Sequence, residues 1–487
     1  MRKNKKYEKN IYRTGPLFLA AVILTTGLTG CNKKVEEEPE EIVMMMEDFG
    51  GSWKNGEWLS QIEMFTNTSL DIQGIPTLEY SSFVESKIRS SSLPMVIAAN
   101  DTIMNMYSLQ LYLEEGGFWD IGEYIDDYPN LKAFIGEELW EKAEINGSVY
   151  GIPRLRIQAR NGALYRKDWA EALNIDPPET LEELYDMLYA FTWMDPDGNG
   201  LDDTVGLMNS WNSWGSRQWN GIQTITTALG GPNGWKYEDR TGEMIPDFAT
   251  EEYMEMLNWF RRLYREGILD ASFPILTSAQ RREGFEEGFV GMIFSVLDDA
   301  ETIEEGLKQY DEDAEIGILP MLQFEDTYRV NDTGGYNGFV LFNKIGEGAI
   351  QDKETLRRIL SFYDRLCSEE GQILLNVENE EAIACQQVLP GPAYIHRESD
   401  STLQQEVYAA VVEREKYLVE DDSQGLYSVG LSQVEAEVNE IIRKASIRYI
   451  MGEITETGYW EAYEEWLDGG GNAISELYKI VYEEKYQ

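Results

Sequence analysis

Histidine is nearly missing from this chain: His396 is the only one in 487 residues. That removes Ser-His-Asp triads and multi-histidine metal centres, because each needs imidazoles at defined places. Cysteine is almost as scarce, with three residues, Cys31, Cys367 and Cys385. Three do not build a disulfide framework. Cys367 and Cys385 read as buried thiols, with a single bridge between them as the alternative. Positive charge is thin as well, with 41 Lys and Arg against 88 Asp and Glu and a net charge of −47. Such a surface repels phosphate backbones and anionic headgroups, so no nucleic-acid partner and no broad docking on anionic lipid are expected. The ordinary role of so much acid is a solvated surface. Beyond residue 28 no apolar run approaches the ~18 residues of a spanning helix.

What is present argues for a large folded protein. Hydrophobic residues make up 43% of the chain and aromatics 12%, enough for two or three domains with ample core. The start has its own pattern. Arg2, Lys3, Lys5, Lys6, Lys9 and Arg13 precede the apolar run Pro16–Leu24, which continues weakly to Leu28-Thr29-Gly30-Cys31. A basic start, a short apolar stretch and small residues at a cut form a secretory signal. The cysteine at the cut resembles the lipobox of bacterial lipoproteins, in which it takes diacylglycerol and becomes the first residue. Residues 1–30 are thus expected to be a signal peptide, with Cys31 the lipidation site. That leader carries six Lys and Arg against one acid, so its removal leaves a net charge of −52. Residues 31–41, rich in Glu, read as a flexible acidic tether.

Strand and helix signals then alternate. Ile42–Met46 and Leu93–Ala99 are apolar runs of strand length, the first ending at Gly50-Gly51 and the second at Asn100-Asp101. Trp58, Ile62 and Phe65 between them have helical spacing. Tyr150-Gly151-Ile152-Pro153 leads an extended stretch to Tyr165. Thr180 with Glu183 forms a capping box, and Thr250 opens a helix whose apolar face is Tyr253, Met256, Leu257 and Phe260. Gly291–Phe294 and Gly338–Phe342 read as strands. From Leu431 the chain is largely helical, with Trp460, Tyr463 and Trp466 on one face. Strands alternating with helices predict an α/β protein with a mainly parallel sheet.

The sharpest internal motif is Asp195-Pro196-Asp197-Gly198-Asn199-Gly200-Leu201-Asp202-Asp203. Oxygen-bearing side chains at positions 1, 3, 5 and 9 and a glycine at 6 reproduce most of a calcium loop. A hard cation needs six or more oxygens, and the peptide oxygen of Leu201 can serve at position 7. Position 12 is Gly206, so the bidentate glutamate of an EF-hand is missing. The alternative is a plain Asx-rich turn without metal.

Lys167-Asp168-Trp169, the Asp195–Gly200 run, Tyr150–Pro153, Phe285-Glu286-Glu287-Gly288 before Gly291-Met292, Ser368-Glu369-Glu370-Gly371 closing a helix, and the terminal Trp460–Tyr482 helices together resemble one family. It is that of the extracellular solute-binding proteins of carbohydrate ABC importers, in its large lipoprotein branch with an aspartate-rich calcium loop. The resemblance covers residues 42–487. It implies a two-lobed periplasmic-binding-protein-like (type II) fold with an interlobe ligand cleft and a helical C-terminus. The lobes would be 42–157 with a return segment 338–395, and 158–337 with 396–487. It also implies a structural calcium held by Asp195, Asp197, Asn199, Leu201 and Asp203. Thr204 stands where many relatives carry an acid, which weakens that site or leaves room for water.

Pyranose faces stack on aromatic rings, while hydroxyls need fixed polar partners. Trp211, Trp214 and Trp219, interleaved with Asn212, Ser213 and Asn220, offer both, although core burial is the alternative for each. Loops at strand ends add Trp53, Asn100, Asp101, Tyr150, Arg154, Ser295, Tyr336 and Asn337. Arg154 and Arg156 could neutralise a uronic acid or pair with local carboxylates, and pairing is the commoner fate. The expected function is a non-enzymatic receptor. It would be anchored by lipid on the extracellular face of the cell membrane, work as a monomer, capture an oligosaccharide and deliver it to ABC permease subunits. The alternatives are a surface glycoside hydrolase or polysaccharide lyase, and a peptide or signal receptor on the same scaffold.

Overall fold

Val96-Ile97-Ala98-Ala99 is buried at every position, as a strand covered on both faces must be. It is the middle of one of two sheets around which the chain is organised. The structure is a computed structural model that describes residues 39–48, 57–212, 221–375, 385–391 and 400–487, without the side chains of 432–434 and 436. Glu40–Gln487 form one unit. In chain order the described strands are β1 (Glu40–Asp48), β2 (Thr68–Pro76), β3 (Val96–Ala99), β4 (Gly151–Leu155), β5 (Asn161–Arg166), β6 (Val205–Met208), β7 (Trp235–Glu238), β8 (Glu243–Pro246), β9 (Val290–Val296), β10 (Ile316–Ile318), β11 (Gln323–Phe324), β12 (Thr327–Tyr328), β13 (Val330–Asn331), β14 (Tyr336–Phe342) and β15 (Leu418–Val419). The first strand begins at Glu40, two residues inside the expected tether.

The first sheet has the order β2-β1-β3-β14-β4. Met44, Val96, Val340 and Phe342 fill one face of it, and Met45, Ile97 and Leu341 the other. The helix Glu57–Thr66 buries Trp58 and Ile62. The helix Lys353–Leu366 buries Leu356, Ile359, Leu360 and Tyr363, and Asp352 caps its start by accepting from the backbone of Glu354 and Thr355. Ser368–Gly371 opens the next helix rather than closing one, with Ser368 Oγ accepting from Gly371 N at 3.2 Å.

The second sheet has the order β10-β5-β9-β6. Its core joins Trp169, Phe191, Phe260, Phe294 and Trp466. The expected caps are there: Thr180 and Glu183 form the full capping box, and Thr250 caps Glu251–Arg265. The C-terminal part is helical over Val429–Ile450, Glu456–Trp466 and Asn472–Tyr486. Cys367 and Cys385 are buried and no disulfide joins them.

The sheets are mixed, which corrects the expectation of a mainly parallel one. β1 runs parallel to β2 and β3, but β14 is antiparallel to both β3 and β4. In the second sheet β5 is antiparallel to β9 and β10, and only β6 is parallel to β9. The reason is the crossovers. The chain leaves the first sheet after β4, builds the second, and re-enters the first through β14 from the opposite end.

The C-terminal helix ties back to the first half of the chain. Lys485 Nζ donates to the carbonyls of Lys142 (2.8 Å) and Glu144 (2.9 Å). Burial pulls the Lys485 amine down from its usual 10.5 to about 8, with Glu144 opposing and the charge of Lys142 adding to the drop. A neutral amine keeps two N–H groups, enough for both carbonyls. The unfolded chain therefore binds more protons than the native one between about 8 and 10.5, so this lysine makes stability rise with pH across that window. Urea midpoints of the wild type should gain on those of Lys485→Gln as pH rises through it. A constant difference between the two proteins would show that the amine titrates normally.

Candidate functional site

The two segments that carry the chain between the sheets run side by side. Arg156 N donates to Gly335 O at 2.8 Å, Thr333 N to Gln158 O at 3.0 Å, and Thr333 Oγ1 to Ile157 O at 2.7 Å. A third segment joins them, with Asp332 N donating to Val419 O at 3.0 Å. Asn233 Nδ2 ties both by donating to the carbonyls of Asp332 and Val419, each at 2.8 Å. Around this ladder opens a cavity of about 400 Å³, to which both sheets contribute.

From the first sheet come Asp101, Arg156, Tyr336 and Asn337. Asp101 follows β3 and faces the cavity, open to solvent there but ringed by protein. That surrounding mass raises its carboxyl above the usual range, with Arg156 opposing first and the Tyr427 hydroxyl next. Asn337 bridges the pair: its amide donates to Asp101 Oδ2 at 3.0 Å and accepts from both Arg156 Nη atoms at 2.8 and 2.9 Å. Burial lowers Arg156 to about 10, helped by Arg160 and Arg154 and opposed by Asp101. From the second sheet come Asn161 and Arg160, whose guanidinium is clamped by Asp298 through Nε (2.9 Å) and Nη2. Gln223, Asn233, Asn331, Asp332, Asp421, Gln424 and Glu435 complete a wall rich in amides and carboxylates, and Tyr427 and Tyr478 join Tyr336 as its rings. Polar groups of both hydrogen-bonding senses around phenol faces suit a polyhydroxylated ligand.

Of the residues singled out from sequence, Asp101, Arg156, Tyr336 and Asn337 meet here. Asn100 stands one step back: its Oδ1 caps a short helix by accepting from Ile103 N at 3.0 Å, and its Nδ2 donates to Glu47 Oε2 at 3.1 Å. Tyr150 packs half-buried against the core under the first sheet. Arg154 lines a separate cavity of about 40 Å³. Among the described residues neither Arg154 nor Arg156 makes the expected direct ion pair; Arg156 reaches Asp101 through Asn337. Ser295 lines another cavity, of about 300 Å³, with Arg281, Arg282 and Asp299. Trp211 is corrected from cleft to core. It is 1% exposed and sits edge-on to Phe260 and Phe273, with ring centroids 5.3 and 5.8 Å away. Trp53, Trp214, Trp219, Cys31 and His396 lie outside the described residues. Sequence reasoning missed Arg160, Asn161 and the whole 421–435 wall. The signal available for part of it was Gly334-Gly335 beside Tyr336-Asn337, a glycine pair between two strands that marks a crossover.

The aspartate-rich loop is formed. Both Asp195 carboxylate oxygens accept from Gly200 N at 3.1 Å. Asn199 Nδ2 donates to Asp197 Oδ2 at 2.7 Å and to Asp203 Oδ1 at 3.2 Å, so an amide N–H lies between two carboxylates. Burial raises the Asp197 carboxyl, the Asn199 backbone opposes, and Asp195 and Asp203 push it further up. That crowding of like charge and the all-oxygen donor set fit a hard cation. Among the described residues, however, no three acids, histidines or cysteines converge as metal ligands. Position 12 cannot supply one, because a Cβ on Gly206 would lie 2.3 Å from Leu188 O.

No family model matches the chain. It is 29% identical over 457 residues to the polygalacturonan/rhamnogalacturonan-binding protein YtcQ of Bacillus subtilis, covering 88% of each chain. It is also 29% identical over 455 residues to the lipoprotein LipO of the same organism, covering 87% of this chain and 88% of that one. Among solved structures it matches the Streptococcus pneumoniae ABC-transporter substrate-binding protein FusA in complex with kestose. The TM-score is 0.66 at 16% identity, over 91% of this chain and 99% of that one. A second FusA structure, of an EF-hand mutant, matches with the same TM-score of 0.66. The fold is thus that of two-lobed solute-binding proteins. By sequence the chain is similar to YtcQ and LipO along most of its length.

Trp211→Ala should cost ~3–5 kcal/mol of stability, as for large aromatic deletions in a core, while the folded fraction keeps its ligand affinity. Asn337→Leu should instead weaken ligand binding at least tenfold. Denaturant titration and calorimetric binding on the two variants check this, and a reversed pattern would return Trp211 to the cleft.

Proposed function

We propose that this protein is the lipid-anchored substrate-binding component of an ABC importer. It captures an oligosaccharide between its lobes and delivers it to permease subunits. The observation that carries the reading is the polar, tyrosine-ringed cavity, walled by both sheets at their crossovers. Strand membership in the two sheets supports lobes of 42–157 with 338–395 and of 158–337 with 396–487. The paired crossovers are the hinge, and ligand selects the closed state because it touches both walls at once. Binding needs no nucleophile or general base, and the relatives are binding proteins rather than hydrolases or lyases. The lipobox-like Leu28–Cys31 and the relationship to a lipoprotein support Cys31 as the anchor on the extracellular face of the membrane. No described helix is long and apolar enough to cross a membrane.

Purified protein offered short neutral and acidic plant and bacterial glycans should gain thermal stability with at least one of them. It should also contract in solution scattering. Failure of every glycan to change either quantity would remove the receptor reading.

The same reading includes a structural calcium at Asp195, Asp197, Asn199, Leu201 and Asp203. Its work is to neutralise three crowded carboxylates. Calcium at 100 times its dissociation constant should stabilise the chelator-treated protein by about 2.7 kcal/mol, and Asp197→Ala should abolish the gain. Silent titration calorimetry together with an unchanged melting temperature would leave the loop a plain turn.

A further inference from the structure

The described wall of the cavity carries Asp101, Asp332, Asp421 and Glu435 against two guanidiniums, Arg156 and Arg160. Both guanidiniums are already engaged, Arg160 by the carboxylate of Asp298 and Arg156, through both Nη atoms, by the neutral amide of Asn337. A second cavity of about 270 Å³ shares Asp332, Tyr336, Asp421 and Gln424 with the first. It adds Glu138, Glu141, Glu420 and Asp422 against Lys142 alone, and Lys142 is already bound by Glu138 (2.9 Å) and Glu420 (2.8 Å). Burial raises the carboxyls of Asp332 and Asp422, and Glu420 raises both further. A site in which acids are already pushed toward the neutral form resists another negative charge.

Arg154 is the described cation with buried Nε and Nη1 atoms that lack a hydrogen-bond partner, so a carboxylate could in principle seek it. Two features keep a ligand away. Its own cavity is about 40 Å³, room for one water, whose share of liquid is ~30 Å³, and not for a sugar ring. Its charge is also already opposed by Glu47 and Asp101. A bound uronate would therefore bring an unpaired charge into a partly desolvated, negative enclosure. Sugar hydroxyls bring none, and they match the amides of Asn161, Gln223, Asn233 and Asn331.

Resting on the receptor reading, we propose that the cleft selects uncharged oligosaccharides and rejects uronate-bearing ones. Its ligand class then differs from the acidic pectic polymers for which YtcQ is named.

The full mature chain is incubated with an equimolar pool of short oligogalacturonides, their carboxyl-reduced neutral counterparts, and xylo-, galacto- and gluco-oligosaccharides. Retained glycan is identified by mass spectrometry. Neutral fragments should be enriched at least tenfold over uronates at low ionic strength. The bias should shrink in about 0.5 M NaCl, where screening shortens the reach of the wall charges to a few ångströms. Asp332→Asn, which removes one wall charge without changing shape, should raise the uronate-to-neutral ratio severalfold. Enrichment of oligogalacturonides by the wild type overturns the selectivity and leaves the receptor intact. A bias untouched by both salt and Asp332→Asn overturns its electrostatic cause. Retention of no glycan at all overturns the receptor reading, and the selectivity with it.

Discussion

The backbone ladder between the two crossovers is the constraint on which the rest of the structure depends. Arg156, Thr333 and Asp332 give their N–H groups to Gly335, Gln158 and Val419, so three strands of chain cross between the sheets as one ribbon. Side chains leaving a ribbon in alternation reach both walls of whatever space lies beside it. That is why Arg156, Asp332 and Asn337 line one cavity although they are far apart in sequence. Gly334 and Gly335 take φ of +81° and +76°, which turns the chain sharply enough for β14 to re-enter the first sheet antiparallel. A side chain at Gly338, with φ of +71°, would meet Ala99 O at 1.8 Å. The return strand can therefore settle against β3 only because that position is bare.

The wall that results is partly engaged with itself and keeps an excess of acids. Asp101, Asn337 and Arg156 form a relay in which the amide hydrogen-bonds to both charged groups. Asp421 accepts from Trp235 N at 3.1 Å and Ser423 N at 2.9 Å, so its carboxylate is held in place by the loop that carries it. Fixing polar groups in advance reduces what a ligand must order on binding. It also means that the charges seen by a ligand are those left after internal pairing, not those counted in the sequence.

Much of the fold was legible because local chemistry decides it. Thr180 and Thr250 start helices for the same reason in any protein: their hydroxyls satisfy backbone donors that the first turn leaves open. Leu93–Ala99 reads as a buried strand because nothing in it is polar. Sheet direction was not legible, since it depends on which end the return segment enters. The cavity was legible only at strand ends. Its 421–435 wall comes from a stretch whose neighbours in space are set by β13 and β15 pairing, a contact between distant residues that no spacing rule contains. Trp211 was misread because flanking Asn and Ser suggested a loop. The chain does leave regular structure there, but the indole turns inward onto Phe260 and Phe273, and burial of so large an apolar surface outweighs the polarity of its neighbours.

The aspartate-rich loop obeys the same logic of distant constraint. Its first nine positions keep a local oxygen pattern, and the loop closes on itself through Asp195, Asn199 and Gly200. From Thr204 onward the second sheet governs the chain. Thr204 Oγ1 donates to Phe191 O at 2.8 Å and Gly206 N to Thr192 Oγ1 at 3.0 Å, so β6 is stitched onto the end of the helix Leu181–Trp193. That contact is so close that Gly206 has no room for a side chain. A glutamate at position 12 would have to push strand and helix apart. The oxygen-rich pattern therefore ends where strand and helix leave no room for a further side chain. Its mechanical role is to join that helix to the strand at the edge of the second sheet.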